Sequence, residues 1–142
     1  YNSIVRKGIE KEKYKMKLKI FEEKKEMEYT TERKKEILAL GKYGNYNFVI
    51  YSFGAYPVAY VSLPDTHPLN YNEDKIFEKI NCHGGITFTG KIIGLKGWAI
   101  GWDYAHDGDY VLGDFEFCGI KHTTDEILQE VKNVIKQLKK LE

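Results

Sequence analysis

Residues 47–63 read Asn-Phe-Val-Ile-Tyr-Ser-Phe-Gly-Ala-Tyr-Pro-Val-Ala-Tyr-Val-Ser-Leu. Two runs rich in β-branched and aromatic residues, Asn47 to Phe53 and Tyr56 to Leu63, flank Gly54 and Ala55, which predicts a β-hairpin. Downstream, Gly85 to Thr89 and Trp98 to Trp102 alternate apolar with small or polar residues on either side of a loop from Gly90 to Gly97. Pairing of these two strands would bring the His83 and Asp103 ends together. Upstream, Tyr14, Met16, Leu18 and Ile20 alternate with Lys13, Lys15, Lys17 and Lys19. A period of two predicts a half-buried strand whose lysine face blunts a sheet edge.

The chain closes on a helix signal. Thr123-Thr-Asp-Glu126 is a capping box, and Ile127, Leu128, Val131, Val134, Ile135, Leu138 and Leu141 form one apolar stripe. The predicted architecture is a single α+β domain over residues 1–142, a mainly antiparallel sheet covered by this C-terminal amphipathic helix. Residues 1–30 form a basic, lysine-rich strand region, and residues 31–142 form the core. Two further elements are predicted from local propensity. The run Thr31 to Leu40, TERKKEILAL, has good helix formers and is followed by Gly41, which predicts a short helix stopped by glycine. Asp74 to Ile80 fits helix or strand, with helix preferred, and Pro64 to Tyr71 reads as a loop by its two prolines.

At 142 residues and 42% apolar composition the chain can bury a core without cross-links. Eleven tyrosines are many for this length and favour a surface that binds something. No stretch approaches the ~18 consecutive apolar residues of a membrane span, and no signal-peptide pattern opens the chain, so a cytoplasmic address and no membrane are expected. Two cysteines, Cys82 and Cys118, do not form a CxxC pair and are expected as reduced thiols, with their proximity left open. Net charge is +1, but residues 1–42 hold 13 Lys and Arg against 8 acids, and residues 43–142 hold 9 against 13. Glutamates interleave with the lysines, and no helix-turn-helix, zinc-finger or RNA-recognition motif accompanies them, which argues against nucleic acid. A small anionic ligand fits the asymmetry equally well.

The chemistry-bearing residues concentrate between positions 82 and 110. His83, Gly84 and Gly85 suit close ligand approach, although a tight turn entering a strand explains them as well. Asp103, His106 and Asp109 recur every three residues, close to one helical turn, so a helix or a tight turn would converge their side chains. With His83 they offer two imidazoles and two carboxylates, a set suited to a divalent metal such as Zn or Mn. The plain alternative for Asp107-Gly-Asp109 is a turn. Trp98, Trp102, Tyr104 and Tyr110 are core or a stacking platform, and the composition favours at least one at a surface. His67 and His122 read as loop residues unconnected to this group.

The elements Ala59-Tyr-Val-Ser-Leu-Pro, His67-Pro, Cys82-His-Gly-Gly-Ile-Thr-Phe and Gly97-Trp-Ala-Ile-Gly-Trp-Asp-Tyr-Ala-His-Asp-Gly-Asp-Tyr resemble those of an uncharacterised family of small bacteriophage and prophage proteins. The likeness spans most of residues 31–142. It implies a phage or prophage setting, inside a bacterial host, and the importance of the paired motifs, but no reaction. Family members carry a longer insertion after the Gly-Asp motif, where Val111 to His122 is short here.

Three functions follow as expectations. The first is a small-ligand-binding protein that sequesters a nucleotide-derived host-defence signal. Its contacts would be His83, Gly84, Gly85, Thr87, Trp102, Asp103, Tyr104, His106, Asp109 and Tyr110, with no cofactor. The second is a metal-dependent hydrolase of a phosphodiester or nucleotide, its metal on His83, Asp103, His106 and Asp109. The third is an inhibitor of a host protein. The first is preferred, because no nucleophile motif, P-loop or Rossmann fingerprint is present. A homo-oligomer is compatible with all three.

Overall fold

A computed structural model describes residues 16–113 and 119–142. Six strands pair in the order β1 (Leu18–Ile20), β2 (Glu36–Tyr43), β3 (Tyr46–Ser52), β4 (Pro57–Ser62), β6 (Trp98–Asp103), β5 (Phe88–Lys91), and every neighbouring pair is antiparallel. Between β4 and β5 lies α1 (Glu73–Lys79), and after β6 comes α2 (Thr124–Lys140). This is the expected α+β architecture, a sheet with a C-terminal helix on one face. No helix among the described residues is long and apolar enough to cross a membrane.

The hairpin of residues 47–63 is β3 and β4, with Ser52 paired to Pro57 across a four-residue turn. Asp74 to Ile80 is helical, as preferred: Asn72 caps α1 by accepting the Lys75 amide. β5 starts later than expected, at Phe88, although the Thr87 amide already bonds Gly101. Of the N-terminal alternation, Tyr14 lies outside the described residues. Met16 and Ile20 pack on the core, while Leu18 between them is 37% exposed.

The helix expected at Thr31 to Leu40 is a strand instead. Residues 31–35 are irregular, and Glu36–Tyr43 form β2, paired with β1 on one side and β3 on the other. The physical reason is visible in Ile37-Leu38-Ala39-Leu40. Four consecutive apolar residues mark a strand buried on both faces, and helix propensity yields to that burial. A bulge between Ile37 and Ala39 puts Leu38 and Ala39 together in the main core, while Ile37 and Leu40 join the opposite cluster. The bulge erases the simple alternation that would have signalled a strand. Gly41 is no stop: it sits inside β2, where a Cβ would press on the Lys19 carbonyl of β1 and the Phe48 ring.

Helix α2 starts as its capping box requires, with the Thr123 hydroxyl accepting the Glu126 amide at 3.1 Å. Its stripe Ile127, Val131, Val134, Ile135 and Leu138 is buried against β2, β3 and β4. There it meets Leu38, Phe48, Ile50, Val61 and Ile100, together with Ile76 of α1. The other face carries a smaller cluster, Val49, Tyr51, Val58 and Ala99, over which the loop residue Leu95 folds. His67 is a buried strut between loop and helix. Its Nδ1 accepts the Leu69 amide at 3.0 Å, which leaves Nε2 to donate to the Leu138 carbonyl at 2.8 Å.

Candidate functional site

Three chain segments meet at one end of the sheet: the loop between α1 and β5, the turn after β6, and the stretch before α2. The backbone of the last two is zipped by a parallel bridge between Asp109 and Ile120, with Tyr110 N–H on the Ile120 carbonyl at 2.9 Å and Ile120 N–H on the Gly108 carbonyl at 2.7 Å. This bridge carries His122 back beside Asp109. A turn closed by Asp109 N–H on the His106 carbonyl at 2.9 Å aims the Asp109 side chain inward.

The Asp109 carboxylate is the hub. Its Oδ2 lies 2.7 Å from His83 Nε2 and also accepts the His106 amide at 3.1 Å, and its Oδ1 lies 2.9 Å from His122 Nε2. The side chain is only 3% exposed. Burial pushes this carboxyl upward, but the hydrogen bonds from His83, the His106 amide and His122 outweigh burial and hold it below the usual carboxylate range. It is therefore an anion at neutral pH. Ligand atoms of His83, Asp109 and His122 all fall within 4.8 Å of one another.

Outer contacts fix both imidazoles. The His83 ring stacks on Tyr104 at 4.5 Å between centroids and 16° between planes, and its backbone amide donates to Glu130 of α2 at 2.9 Å. His122 has Nδ1 3.4 Å from Glu126 Oε2, one helical turn into α2. A carboxylate at the far nitrogen helps to orient an imidazole, and Glu126 stands in that place for His122.

Asp103 and His106 form a second, adjacent group. Asp103 accepts the Thr87 hydroxyl at 3.2 Å and the Ala105 amide at 3.1 Å. His106 Nε2 lies 3.1 Å from Asp103 Oδ1 but is not aligned for a hydrogen bond, so this solvent-shielded nitrogen has no partner among the described residues. The His83 and His106 rings are 5.9 Å apart. Gly84, with φ of 68°, and Gly85, with φ of 82°, take the left-handed conformation that suits glycine, as the turn reading of this pair requires.

The sequence grouping of His83, Asp103, His106 and Asp109 thus resolves into two clusters, with His83 and Asp109 in one and Asp103 and His106 in the other. His122, read as unconnected, is a correction: it completes the first cluster. Its signal was its place directly before the Thr123 cap, four residues from Glu126. Of the four aromatics expected as core or stacking platform, three are core. Trp102 is 1% and Tyr104 3% exposed, because β6 lies between β4 and β5 with side chains over both faces, so neither offers a free ring to a ligand. Trp98 is buried as well, and of the four aromatics Tyr110 alone is half-buried. Cys82 is not a reactive group here: burial and the Glu130 carboxylate push its thiol up to about 12. Cys118 lies outside the described residues.

Beside Asp109 opens a pocket of about 380 Å³ lined by His106, Asp107, Gly108, Val111 and Gly119. A second, of about 400 Å³, is lined by Tyr29, Tyr110, Lys121 and His122. Compared with protein-family models, curated proteins and solved structures, the chain matches none.

Proposed function

We propose that the protein is a divalent-metal-dependent hydrolase whose metal is held by His83, Asp109 and His122. One observation carries this reading: a single buried carboxylate presents each of its oxygens to a different imidazole Nε2, at 2.7 and 2.9 Å. Two imidazoles and one carboxylate are a common donor set for Zn, Mn or Fe centres that keep positions open for water or substrate. A bound metal would supply an acidified water, a nucleophile at neutral pH, for attack on a phosphodiester or related bond. The pocket beside Asp109 supports access for a substrate. His106 lines that pocket, and its imidazole is the group suited to hand a proton to the leaving oxygen.

The test is stoichiometric metal uptake by chelator-stripped protein. Zn and Mn titrations should saturate at one ion per chain, and His83→Ala and His122→Ala should each abolish that uptake. His106→Ala should still bind the ion but lose turnover of bis(p-nitrophenyl) phosphate. Absence of metal binding in the unaltered protein rejects the reading.

A second reading, capture of a small nucleotide-derived ligand without turnover, draws support from the pocket beside Asp109, whose volume suits a small molecule. The burial of Trp102 and Tyr104 weakens it, since stacking was to supply much of its affinity. Metal-free protein that retains a small molecule through purification would favour it.

A further inference from the structure

Next to His122 a lysine is held between two aromatic rings. Lys121 Nζ stands 4.5 Å from the centroid of the Tyr110 ring and 5.5 Å from that of Tyr29, and the two rings meet edge to face at 4.6 Å. Among the described residues Lys121 forms no ion pair. The acid that lines the same pocket, Glu26, is engaged elsewhere, its Oε2 accepting the Thr124 amide at 3.1 Å. Aromatic faces restrain an ammonium without taking up its N–H donors as a carboxylate would. The result is a positioned point charge with free donors in a pocket that shares His122 with the cluster around Asp109. Burial and the neighbouring Tyr110 and Asp109 raise the Tyr29 hydroxyl, so it stays protonated and able to donate.

We infer that Lys121, steadied by Tyr29 and Tyr110, is the arm that binds a phosphate group of the substrate beside the His83, Asp109 and His122 centre. This rests on the proposed metal reading and narrows its substrate to phosphate esters. A lysine is an established phosphate partner as a compact charge, and it needs no bidentate geometry. Lys121 is then a substrate-binding residue, and it leaves the metal ligands untouched.

Inorganic phosphate is the probe, titrated calorimetrically into zinc-loaded and into chelator-stripped protein. The zinc-loaded protein should bind phosphate, Lys121→Gln should weaken that binding about tenfold, and Lys121→Arg should retain most of it, with zinc affinity equal in all three. Tyr110→Leu, which frees the ammonium without removing its charge, should weaken phosphate binding as well. Equal phosphate affinity in Lys121→Gln and unaltered protein, or zinc-loaded protein that ignores phosphate, overturns the inference while leaving the metal centre standing. Protein that takes up no zinc but binds phosphate through Lys121 keeps the arm and rejects the metal.

Discussion

The ring of His106 lies directly against the backbone of Gly84: a Cβ added there would stand 2.2 Å from both Cδ2 and Nε2 of the imidazole. The contact joins the Gly-Gly loop to the turn after β6. Gly84→Ala combines this overlap with a left-handed φ, and each is destabilising for an L side chain. Urea denaturation should show a loss of about 1 to 3 kcal/mol, and the His106 ring resonances should move. A variant as stable as the parent, with an unchanged His106 signal, contradicts the packing.

Asp109→Asn removes the anion that both imidazoles face and keeps the shape. Metal uptake should fall at least a hundredfold, since a neutral amide is a poor ligand for these ions. The metal-free protein should also lose about 1 to 3 kcal/mol, because the amide cannot accept from both rings and the His106 amide as the carboxylate does. Thermal melts with and without chelator separate the two effects.

Acid should destabilise the metal-free protein through the same group. Asp109 is held below its ordinary value in the fold and titrates at about 3.9 in the unfolded chain, so its contribution is present above that pH and disappears as pH falls through the lower folded value. Glu142, lowered by Lys139 and Tyr46 against the effect of burial, adds in the same direction. Melting temperatures in chelator should drop steeply below about pH 4, and Asp109→Asn should flatten the drop. Parallel curves for the two proteins sink this assignment.

His67→Ala tests a histidine with a purely architectural part. It deletes a buried donor to the Leu138 carbonyl and leaves a void between loop and α2. A loss of about 2 kcal/mol or more in stability is expected, with metal stoichiometry unchanged. Loss of metal binding in a folded His67→Ala protein would tie this residue to the site after all.

Most of the fold was legible because its elements keep one period over several residues. The hairpin of β3 and β4, the strand signal around Met16 to Ile20 and the capped stripe of α2 are local patterns with local causes. β2 was not legible, because the bulge at Leu38 broke its alternation and its charged approach, Glu32 to Glu36, scores as helix. In the site, His83 and Asp109 were found from glycine and turn chemistry close by in sequence. His122 was missed because nothing local to Lys121-His122-Thr123 announces that a parallel bridge folds it onto Asp109. Burial of Trp102 and Tyr104 follows from strand order, which the sequence does not print.

The bridge between Asp109 and Ile120 has an evolutionary consequence. It grips the chain at both ends of the stretch that separates Asp109 from His122, through Tyr110 and Ile120. The position of the two side chains is then set by the grip and not by what the intervening residues do. Closing a longer loop on such a grip costs only about 0.6 kcal/mol for each doubling of its length. Descendants of this sequence are free to lengthen, shorten or decorate that stretch, and so to change what the neighbouring pockets admit, while the Asp109 hub stays where it is.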